Sequence, residues 1–485
     1  MARSGQLSER LAAEPLVRTV REALGEDAAD ELWIVGGAVR DALLGRPVRD
    51  LDLVVGGDPE EVARKLSSAV GGPVFPLSEA FGAWRAMDPG REWTCDVTAV
   101  HGEGIDADLA RRDFSVNAIA VPLAGGEPHD PQGGIPDLEA GVLRVLGGPD
   151  VEHSAYAADP LRPLRLARLA TELDLHPTPD TQHLTREAAP LVANAAAERV
   201  FAELRRIVAS ERVIDGLGLC DGLGLTAVVL PELHALHGVE QSHFHHLDVY
   251  DHTIEVLRCY LALEHDPEGV FGELAEPLDA LMREPFADGL TGWHALRFAA
   301  LLHDCGKPAT RGVRPDGRVT FIGHDKVGAE MIRELCRRLK TSERLRELIA
   351  GVTRHHLVLG FLVHERPLSR ERVYQYLERC QPVEVEVTLL TCADRLATRG
   401  KNAEGAIKAH LELARELMAD ALAWRSAPPE PPLRGGELAA ELGIEPGPEL
   451  GELLARLREA RFTGEANTRE QAVALARRLR ENPRG

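Results

Sequence analysis

The sequence predicts an α+β protein with a small mixed sheet near its N-terminus, followed by helices alone. Two observations lead to this class. Short apolar runs flanked by glycine and charged residues, as in Leu32–Val35 and Trp93–Thr98, are typical of strands and lie early in the chain. Beyond residue 158, apolar residues recur at helical spacing, most clearly in Glu198–Ser210.

The individual elements follow from the same spacing. Residues 6–24 are predicted to form a helix leading into the first strand, and Pro59–Ala69 and 180–236 have helical spacing. The prolines of Ser426–Pro432 mark a linker. A chain of 485 residues is too long for one hydrophobic core. The length alone suggests about three domains; with the motifs described below we expect four parts, with the boundaries 1–150, 151–235, 236–424 and 433–485.

Composition excludes several classes of protein. The seven cysteines contain no Cys-x-x-Cys pair, which indicates reduced thiols and a cytoplasmic location. The first residues have no apolar core of a signal peptide, and no run of about twenty apolar residues exists, so we expect no membrane partner. The net charge of −21 disfavours a general nucleic-acid binder but allows one local basic groove.

The stretch 33–55 combines a glycine turn with two aspartates. An apolar strand runs into Gly36 and Gly37, a helix of about two turns follows, and the next strand carries Asp50 and Asp52. The glycines let the backbone approach a ligand, and free N–H groups favour a phosphate. The two carboxylates share one strand face, where Mg²⁺ brought by a nucleotide would relieve their repulsion. This layout predicts nucleotidyl transfer; the alternative is a plain turn and a solvated loop.

Two further segments add charged residues to this region. Asp96 lies within a predicted strand and could complete a three-carboxylate metal site, or it could be an ordinary strand-end residue. The run Arg111-Arg112-Asp113 precedes Asn117 by a few positions. Arginine side chains bind phosphate bidentately, although the same run could form a solvated helix N-terminus.

Together these motifs resemble the class II tRNA nucleotidyltransferases and bacterial poly(A) polymerases of the DNA polymerase β superfamily. The resemblance implies a nucleotidyltransferase head whose catalytic acids are Asp50, Asp52 and Asp96. It implies Mg²⁺ as the cofactor, and the tRNA 3′ end, CTP and ATP as partners. The nucleotide-binding residues that it implies in this region are Gly36, Gly37, Arg40, Arg111, Arg112, Asp113 and Asn117.

One segment departs from the full CCA-adding relatives. In those enzymes a flexible segment separates the third acidic strand from the Arg-Arg-Asp run, whereas here only Ala99 to Ala110 fills the gap. In this absence the chain resembles the members of the family that add only two C residues. Whether this chain also adds the terminal A is left open.

A third motif lies at 158–169, a predicted helix. Asp159 and Arg162 would share one helix face. A carboxylate accepts from the amino group of C or A, and a guanidinium donates to a ring acceptor. The segment resembles the family's nucleotide-selecting Glu-Asp-x-x-Arg signature, with Ala158 in place of Glu. The alternative is a surface ion pair. Arg165 would contact phosphate or solvent.

A second set of metal-binding residue types begins at His252. Histidines and aspartates recur on apolar helical patterns, where they are costly unless they bind a metal. Their order resembles the HD-domain phosphohydrolases, although a lone histidine is more often a core residue. The resemblance implies an all-α HD domain acting on RNA ends or nucleotides with Mg²⁺, Mn²⁺, Ni²⁺ or a similar ion. The implied ligands are His252, His303, Asp304 and Asp394, with Lys307, His324 and His355 as accessory residues.

The remaining parts resemble the family's all-α neck and RNA-binding body and its helical tail. The Gly-Pro alternation in 443–451 predicts a tight turn between helices, and the resemblance implies that the tail holds the tRNA elbow; the alternative is a helical hairpin that only packs. Two other functions stay open: a poly(A) polymerase, disfavoured by the acidic charge, and an HD phosphohydrolase with a vestigial RNA-binding head. An oligomer is also left open.

Overall fold

The computed structural model describes residues 2–25, 32–78, 82–241, 247–398 and 403–481. The chain forms two compact units, Met1–Val229 and Leu230–Gly485. The first combines a mixed sheet with helices, and the second is almost entirely helical. The predicted α+β class is therefore confirmed. Within the described ranges, no helix is both long and apolar enough to cross a bilayer.

Six strands form one mixed sheet in the first unit, in the order β3-β4-β5-β2-β1-β6. Their bounds are β1 Leu32–Val35, β2 Asp50–Val55, β3 Val74–Ser78, β4 Ala83–Met87, β5 Thr94–Ala99 and β6 Ala120–Pro122. β2 and β5 run parallel, and the other neighbouring pairs are antiparallel. On β2, Leu51 and Leu53 are buried in the core while Asp50 and Asp52 lie on the opposite, exposed face.

The rest of the first unit is helical, with one short additional strand pair. The two short strands, β7 Val142–Leu143 and β8 His176–Pro177, pair in parallel and join the residues before and after the predicted boundary at 150. The helices are Ala2–Ala13, Pro15–Leu24, Gly37–Leu43, Pro59–Val70, Ile105–Ala110, Gly134–Glu139, Arg162–Leu173, Pro179–Ala188, Ala197–Ala209, Val213–Gly222 and Leu225–Val229, with 3₁₀ turns at Ser115–Asn117, Ala155–Ala157 and Ala189–Asn194.

Two predicted helices of the first unit have different bounds in the structure. The single helix expected at 6–24 is two helices, because Pro15 cannot donate an i→i−4 hydrogen bond and Glu14 is extended. The helix expected from residue 158 begins only at Arg162. Pro160 disfavours the helical conformation at Asp159, so this aspartate precedes the helix.

The second unit contains helices and two short strand pairs that the prediction of an all-α domain missed. β9 Pro285–Ala287 pairs with β10 Leu290–Thr291, and β11 Gly312–Val313 pairs with β12 Val319–Thr320. The first pair turns at Asp288-Gly289, both with positive φ, which is a sequence signal for a tight hairpin. The helices are Pro231–His234, Val249–His265, Glu268–Phe271, Ala275–Arg283, Gly292–Leu302, Lys307–Thr310, His324–Arg338, Glu343–His355, Val358–Leu362, Arg370–Cys380, Glu384–Ala397, Ala403–Ser426, Gly435–Leu442, Pro448–Thr463 and Arg469–Glu481, with 3₁₀ turns at Gly272–Leu274 and Val363–Glu365.

The last three helices share an apolar cluster of their own. The predicted tight turn lies between Gly435–Leu442 and Pro448–Thr463, where Gly443 adopts a left-handed conformation. The largest side chains of this cluster are those of Leu433, Leu438, Leu450, Leu453, Leu457 and Leu475. The four-part domain division remains a prediction.

Candidate active sites

The first site lies on the exposed face of the two parallel strands. Asp52 on β2 is in register with Asp96 on β5, and Asp50 is in register with Thr94. The Thr94 hydroxyl donates to Asp50 Oδ1 at 2.8 Å. The three predicted catalytic acids are therefore brought together on one face. Carboxylate oxygens are the ligands that Mg²⁺ prefers, so this donor set fits the ion.

Asp52 carries the clearest sign of a crowded acidic site. Its side chain reaches solvent, but surrounding protein atoms raise its pKa to about 6 by desolvation; Arg112 opposes this shift, while Asp96 and Asp50 add to it. Gly36 lies directly beside it. A Cβ atom on Gly36 would lie 3.1 Å from Asp52 Oδ2 and 3.0 Å from Arg112 Nη1, and its φ of +72° also favours glycine. The predicted glycine turn therefore borders the acids.

Sequence reasoning missed Arg85, which contacts the third acid. Arg85 lies on β4, opposite Asp96 in the antiparallel pair. Its Nε and Nη2 donate to the two Asp96 oxygens at 2.6 and 2.7 Å. The hydrogen bond to Asp96 raises the pKa of Arg85. No local motif marks Arg85, because the pairing depends on strand register.

The predicted nucleotide-binding residues form a chain of hydrogen bonds behind the glycine turn. Arg40 is buried and donates to Asn117 Oδ1 at 2.6 Å and to Asp41. Asn117 Nδ2 donates to Asp113 Oδ1 at 2.9 Å, and Arg165 donates to Asp113 Oδ2 at 3.2 Å. Burial would raise the pKa of Asp113, but Arg165 and Asn117 outweigh it and lower the pKa. These hydrogen bonds hold the side chains behind the glycine turn in fixed positions.

The two adjacent arginines differ in their surroundings. Arg111 is exposed, and its backbone carbonyl accepts from Arg162 at 3.2 Å. Arg112 is paired with the buried Asp108 at 3.1 Å. Asp108 belongs to the helix Ile105–Ala110, which occupies the segment where a flexible loop is absent. Arg112 therefore reaches the site from just beyond the end of a short helix, with its Nη1 beside Gly36.

The Asp159 and Arg162 side chains do not form the ion pair that was the alternative prediction. Asp159 Oδ2 instead accepts from Arg199 at 2.6 Å, and its Oδ1 accepts from the Leu161 backbone N–H at 3.0 Å. Arg162 donates to the Ala155 carbonyl at 2.8 Å, and within the described residues its buried Nε has no partner. Arg199 is a second contact that sequence reasoning missed.

Arg165 belongs to a buried ionic network and is not simply solvated. Its Nε lies 3.4 Å from Glu203 Oε1, and Arg168 contacts the other oxygen of Glu203. Arg168 is also 2.8 Å from Glu172. The network joins the helices Arg162–Leu173 and Ala197–Ala209. These contacts orient Arg165 toward Asp113.

The second site lies in the second unit, where helix ends meet. His252 Nε2 is 3.1 Å from Asp394 Oδ1, and His303 Nε2 is 3.2 Å from Asp304 Oδ2. His252 and Asp304 approach to 3.9 Å. Burial opposes ionisation of Asp304, but His303 and Lys307 hold the pKa of that carboxyl well below its ordinary value. The four predicted core ligands are therefore together, with a donor set that fits a first-row divalent ion.

The predicted accessory residues are divided by the structure. Lys307 Nζ lies 2.6 Å from Asp304 Oδ2, and His324 Nε2 lies 3.4 Å from Asp304 Oδ1. His355, however, lies outside the cluster, and His356 takes that place, 3.8 Å from Asp304 Oδ1. His355 is the last residue of the helix Glu343–His355, and a shift of one residue turns a side chain by about 100° around a helix.

A cavity of about 240 Å³ opens beside this site. It is lined by Asp394 and His356, and also by Arg395 and His410, which sequence reasoning missed. Within the described residues, Arg395 Nε and His410 Nε2 are buried without a hydrogen-bond partner. A cation and an imidazole facing such a cavity suit an anionic group.

Three segments of the chain match known protein families. Residues 32–144 match the Poly A polymerase head domain, residues 174–236 match the "Probable RNA and SrmB- binding site of polymerase A", and residues 249–399 match the HD domain. Among solved structures, a CCA-adding enzyme complexed with CTP has a TM-score of 0.63 at 20% identity and covers 99% of both chains. The Thermotoga maritima CCA-adding enzyme complexed with tRNA has a TM-score of 0.60 at 20% identity and covers 97% of this chain and 98% of its own.

Three relatives cover nearly the whole chain. The A-adding tRNA nucleotidyltransferase of Deinococcus radiodurans is 37% identical, over 93% of this chain and 96% of its own length. The CC-adding tRNA nucleotidyltransferase of Thermus thermophilus is 36% identical, over 91% and 92%. The multifunctional CCA protein of Xanthomonas campestris is 33% identical, over 93% and 100%.

The acid-bearing sheet and the helical HD unit define a nucleotidyltransferase joined to an HD domain. The similarity over almost the full length then shows the family. The chain belongs to the tRNA nucleotidyltransferases, and the predicted resemblance is confirmed.

Proposed function

We propose that the chain adds nucleotides to the 3′ end of tRNA without a template, using Mg²⁺ and CTP. The observation that carries the proposal is the placement of Asp50, Asp52 and Asp96 on one exposed face beside Gly36. Mg²⁺ bound there would stabilise the charge of the attacking and leaving oxygens.

The residues of this chain position the reactants. Asp50 and Asp52 hold the ions, and Asp96 completes the set while Arg85 holds its carboxylate in place. The Gly36-Gly37 backbone lies against the triphosphate, and Arg111 and Arg112 neutralise its charge. Arg40, Asp113 and Asn117 hold these groups in their positions through hydrogen bonds.

Asp159 and Arg162 select the base. A carboxylate offers about four lone-pair positions, so Asp159 can accept from the amino group of C or A while it keeps its bond to Arg199. The Arg162 guanidinium carries five N–H donors, and its bonds to the Ala155 and Arg111 carbonyls leave others that can donate to a ring acceptor. The pair would reject U and G, which lack that arrangement of donor and acceptor.

The choice between C and A is the finer part of the proposal. The short Ala99–Ala110 segment, which holds only a one-turn to two-turn helix, favours C addition. Similarity does not decide between them, since the A-adding and CC-adding relatives are 37% and 36% identical. We propose C addition, with ATP as the substrate to be tested beside CTP. The seven free cysteines fit a reducing cytoplasm.

The test uses tRNA transcripts that lack the 3′ end or stop after one or two C residues. Each is incubated with labelled CTP, labelled ATP or both, and the products are separated on a sequencing gel. Incorporation of C without A supports the proposal. Incorporation of A alone, on the transcript ending in CC, would show that the chain adds A instead of C. Asp52→Asn should abolish incorporation, whereas Asp180→Asn, an exposed control, should not. No incorporation with any transcript would reject nucleotidyl transfer.

We also propose that the HD domain hydrolyses phosphate esters on RNA ends or nucleotides. His252, His303, Asp304 and Asp394 would hold a divalent metal, which supplies hydroxide at neutral pH. The Arg395 and His410 side chains in the adjoining cavity would bind the phosphate. Asp304→Asn should remove metal-dependent hydrolysis of p-nitrophenyl phosphate and 2′,3′-cyclic AMP while leaving nucleotide addition intact. Loss of both activities would contradict two separate sites.

A further inference from the structure

One stretch of the second unit carries a charge opposite to that of the chain. Residues 307–326 contain five lysines and arginines and two aspartates, a net charge of +3, whereas the whole chain has a net charge of −21. The centre of this stretch is the hairpin formed by β11 and β12, from Gly312 to Thr320. The functions proposed above make no use of this hairpin.

The hairpin begins and ends at the second site. Lys307, on its N-terminal side, lies 2.6 Å from Asp304 Oδ2, and His324, on its C-terminal side, lies 3.4 Å from Asp304 Oδ1. The Lys307 ammonium lies 5.5 Å from the centre of the Phe321 ring, and His324 Nδ1 donates to the Phe321 carbonyl at 2.7 Å. The hairpin is therefore anchored on both sides to a carboxylate of the proposed metal site.

Two arginines face each other across the tip of the hairpin. Val313 pairs with Val319, so the next pair in register is Arg314 and Arg318. The Arg314 backbone N–H donates to the Arg318 carbonyl at 2.9 Å, as this register requires. Side chains directly opposite each other in an antiparallel pair project from the same face, and like charges there repel. An anion between the two guanidinium groups would relieve this repulsion.

Neither of these arginines has an acidic partner. Within the described residues, the Arg314 and Arg318 side chains make no hydrogen bond or ion pair. Asp316, the acid at the tip, accepts from the Arg318 backbone N–H at 3.0 Å. Arg311, at the base of the hairpin, lies 3.9 Å from the exposed Glu240. The donors of both tip arginines are therefore available to a ligand, and arginine binds phosphate bidentately.

Apolar side chains are exposed on the same segment. Val313 is 59% exposed and Ile322 is 77% exposed. Proteins that bind single-stranded nucleic acid combine cationic side chains along the backbone with flat or apolar side chains against the bases. An RNA strand offers several phosphates and several base faces in a row, whereas a free nucleotide offers one of each. The hairpin therefore fits a strand better than a free nucleotide.

We propose that the β11–β12 hairpin binds the sugar–phosphate backbone of an RNA strand whose terminal phosphate ester enters the second site. The proposal rests on the HD function proposed above and assigns its substrate class, which is RNA ends and not free nucleotides. Arg314 and Arg318 bind a phosphate that precedes the reacting one, and Val313 and Ile322 contact the bases. The two arginines thus determine substrate choice without touching the reacting atoms.

The experiment compares two substrates that share the reacting group. The full-length protein is assayed with Mn²⁺ on 2′,3′-cyclic AMP and on a hexanucleotide RNA ending in a 2′,3′-cyclic phosphate, at several salt concentrations. Arg314→Gln combined with Arg318→Gln should lower kcat/KM for the hexanucleotide about 10-fold relative to kcat/KM for 2′,3′-cyclic AMP, chiefly through KM. The slope of log KM for the hexanucleotide against log salt concentration should decrease by about one for each arginine.

Arg337→Gln combined with Arg344→Gln is the matched control, because it removes the same charge from two exposed positions. Arg337 lies about 20 Å along its helix from His324, and Arg344 begins the next helix, which returns toward the site at its other end. The control should keep the ratio of the two kcat/KM values. An equal loss in the control, or an unchanged ratio in the hairpin variant, would overturn the proposal. Thermal unfolding checks that each variant is folded.

Crosslinking distinguishes a failure of this proposal from a failure of the HD function. A hexanucleotide containing 4-thiouridine is photocrosslinked to the full-length protein in the presence of a chelator, and the crosslinked peptides are identified by mass spectrometry. Crosslinks within residues 311–323 without hydrolysis of either substrate would reject the HD function and retain the RNA contact. Hydrolysis of both substrates without these crosslinks would overturn the RNA contact and retain the hydrolase. Absence of both would reject both.

Discussion

Arg85 on β4 donates hydrogen bonds from its Nε and Nη2 to the two carboxylate oxygens of Asp96 on β5, at 2.6 and 2.7 Å. The pair lies beside Asp52, whose carboxylate is itself crowded by protein and by the neighbouring acids. Arg85 therefore sets the orientation of an acid that the proposed reaction needs, and it lowers the local negative charge before any cation binds.

The first prediction concerns this arginine. Arg85→Ala should lower the rate of C addition by about 10-fold to 100-fold, as is typical when a residue that orients a metal ligand is lost. The physical reason is that Asp96 would rotate away from Asp52. Arg64→Ala is the control, because Arg64 is an exposed arginine paired with Glu60. Arg85→Ala should also weaken the apparent affinity for Mg²⁺, which is measured by titrating Mg²⁺ at saturating CTP. Equal rates in both variants would contradict the role of Arg85.

The second prediction is a pH dependence of stability without metal. The pKa of Asp52 is raised to about 6 in the folded chain, above its ordinary value of 3.8. The folded state therefore binds more protons than the unfolded state between these values, and stability decreases as pH rises through this range. Asp52→Asn should raise the melting temperature at pH 7 in the presence of a chelator, and the gain should disappear near pH 4. A gain that is constant with pH would show that protonation is not its cause.

The third prediction concerns base selection. Asp159→Ala should lower the ratio of the CTP to the UTP incorporation rate by about 10-fold to 100-fold, because a good base contact is worth about 1–3 kcal/mol of discrimination. Arg199→Ala should have a smaller effect in the same direction, because Arg199 orients Asp159 without meeting the base. Arg186→Ala serves as the control, because Arg186 is an exposed arginine that donates to the Gly222 carbonyl. The measurement is the ratio of incorporation rates for the two nucleotides. An unchanged ratio in Asp159→Ala would exclude base reading by this carboxylate.

The fourth prediction concerns the ionic network of the neck. Glu203 is buried and contacts Arg165 and Arg168. Glu203→Ala would break a buried ion pair, which typically costs about 3–5 kcal/mol; because Glu172 still neutralises Arg168, we expect the lower end of this range. The free energy of unfolding of the first unit, followed by denaturant titration, should fall by an amount in this range. Glu187→Ala, on an exposed helix face, should change it little. A small loss in Glu203→Ala would show that solvent replaces the missing contact.

Local patterns in the sequence predict the strands and the acids of the first site well. The glycine turn, the helix after it and the strand carrying Asp50 and Asp52 all lie within one short segment, where apolar runs and the two aspartates mark the strands. The His-Asp pair at 303–304 is equally local. The family resemblance adds the prediction that the separate acidic segments form one site and the separate histidine segments another.

The contacts that sequence reasoning missed are those between distant elements. Arg85 reaches Asp96 through strand register, and Arg199, in the helix Ala197–Ala209, reaches Asp159 from 40 positions away in the sequence, so neither has a local signal. His356 was mistaken for His355 because the end of a helix decides which of two adjacent side chains enters the cluster. Pro160 could have indicated that Asp159 precedes its helix.

The glycine at position 36 has a consequence for engineering. The space for even one methyl group there is already taken up by a negative oxygen on one side and a positive nitrogen on the other, at 3.1 and 3.0 Å. A side chain at position 36 would therefore displace the Asp52 carboxylate, the Arg112 guanidinium or both. Attempts to redesign the chemistry of this enzyme by directed evolution should therefore leave that position untouched and vary the surrounding residues instead.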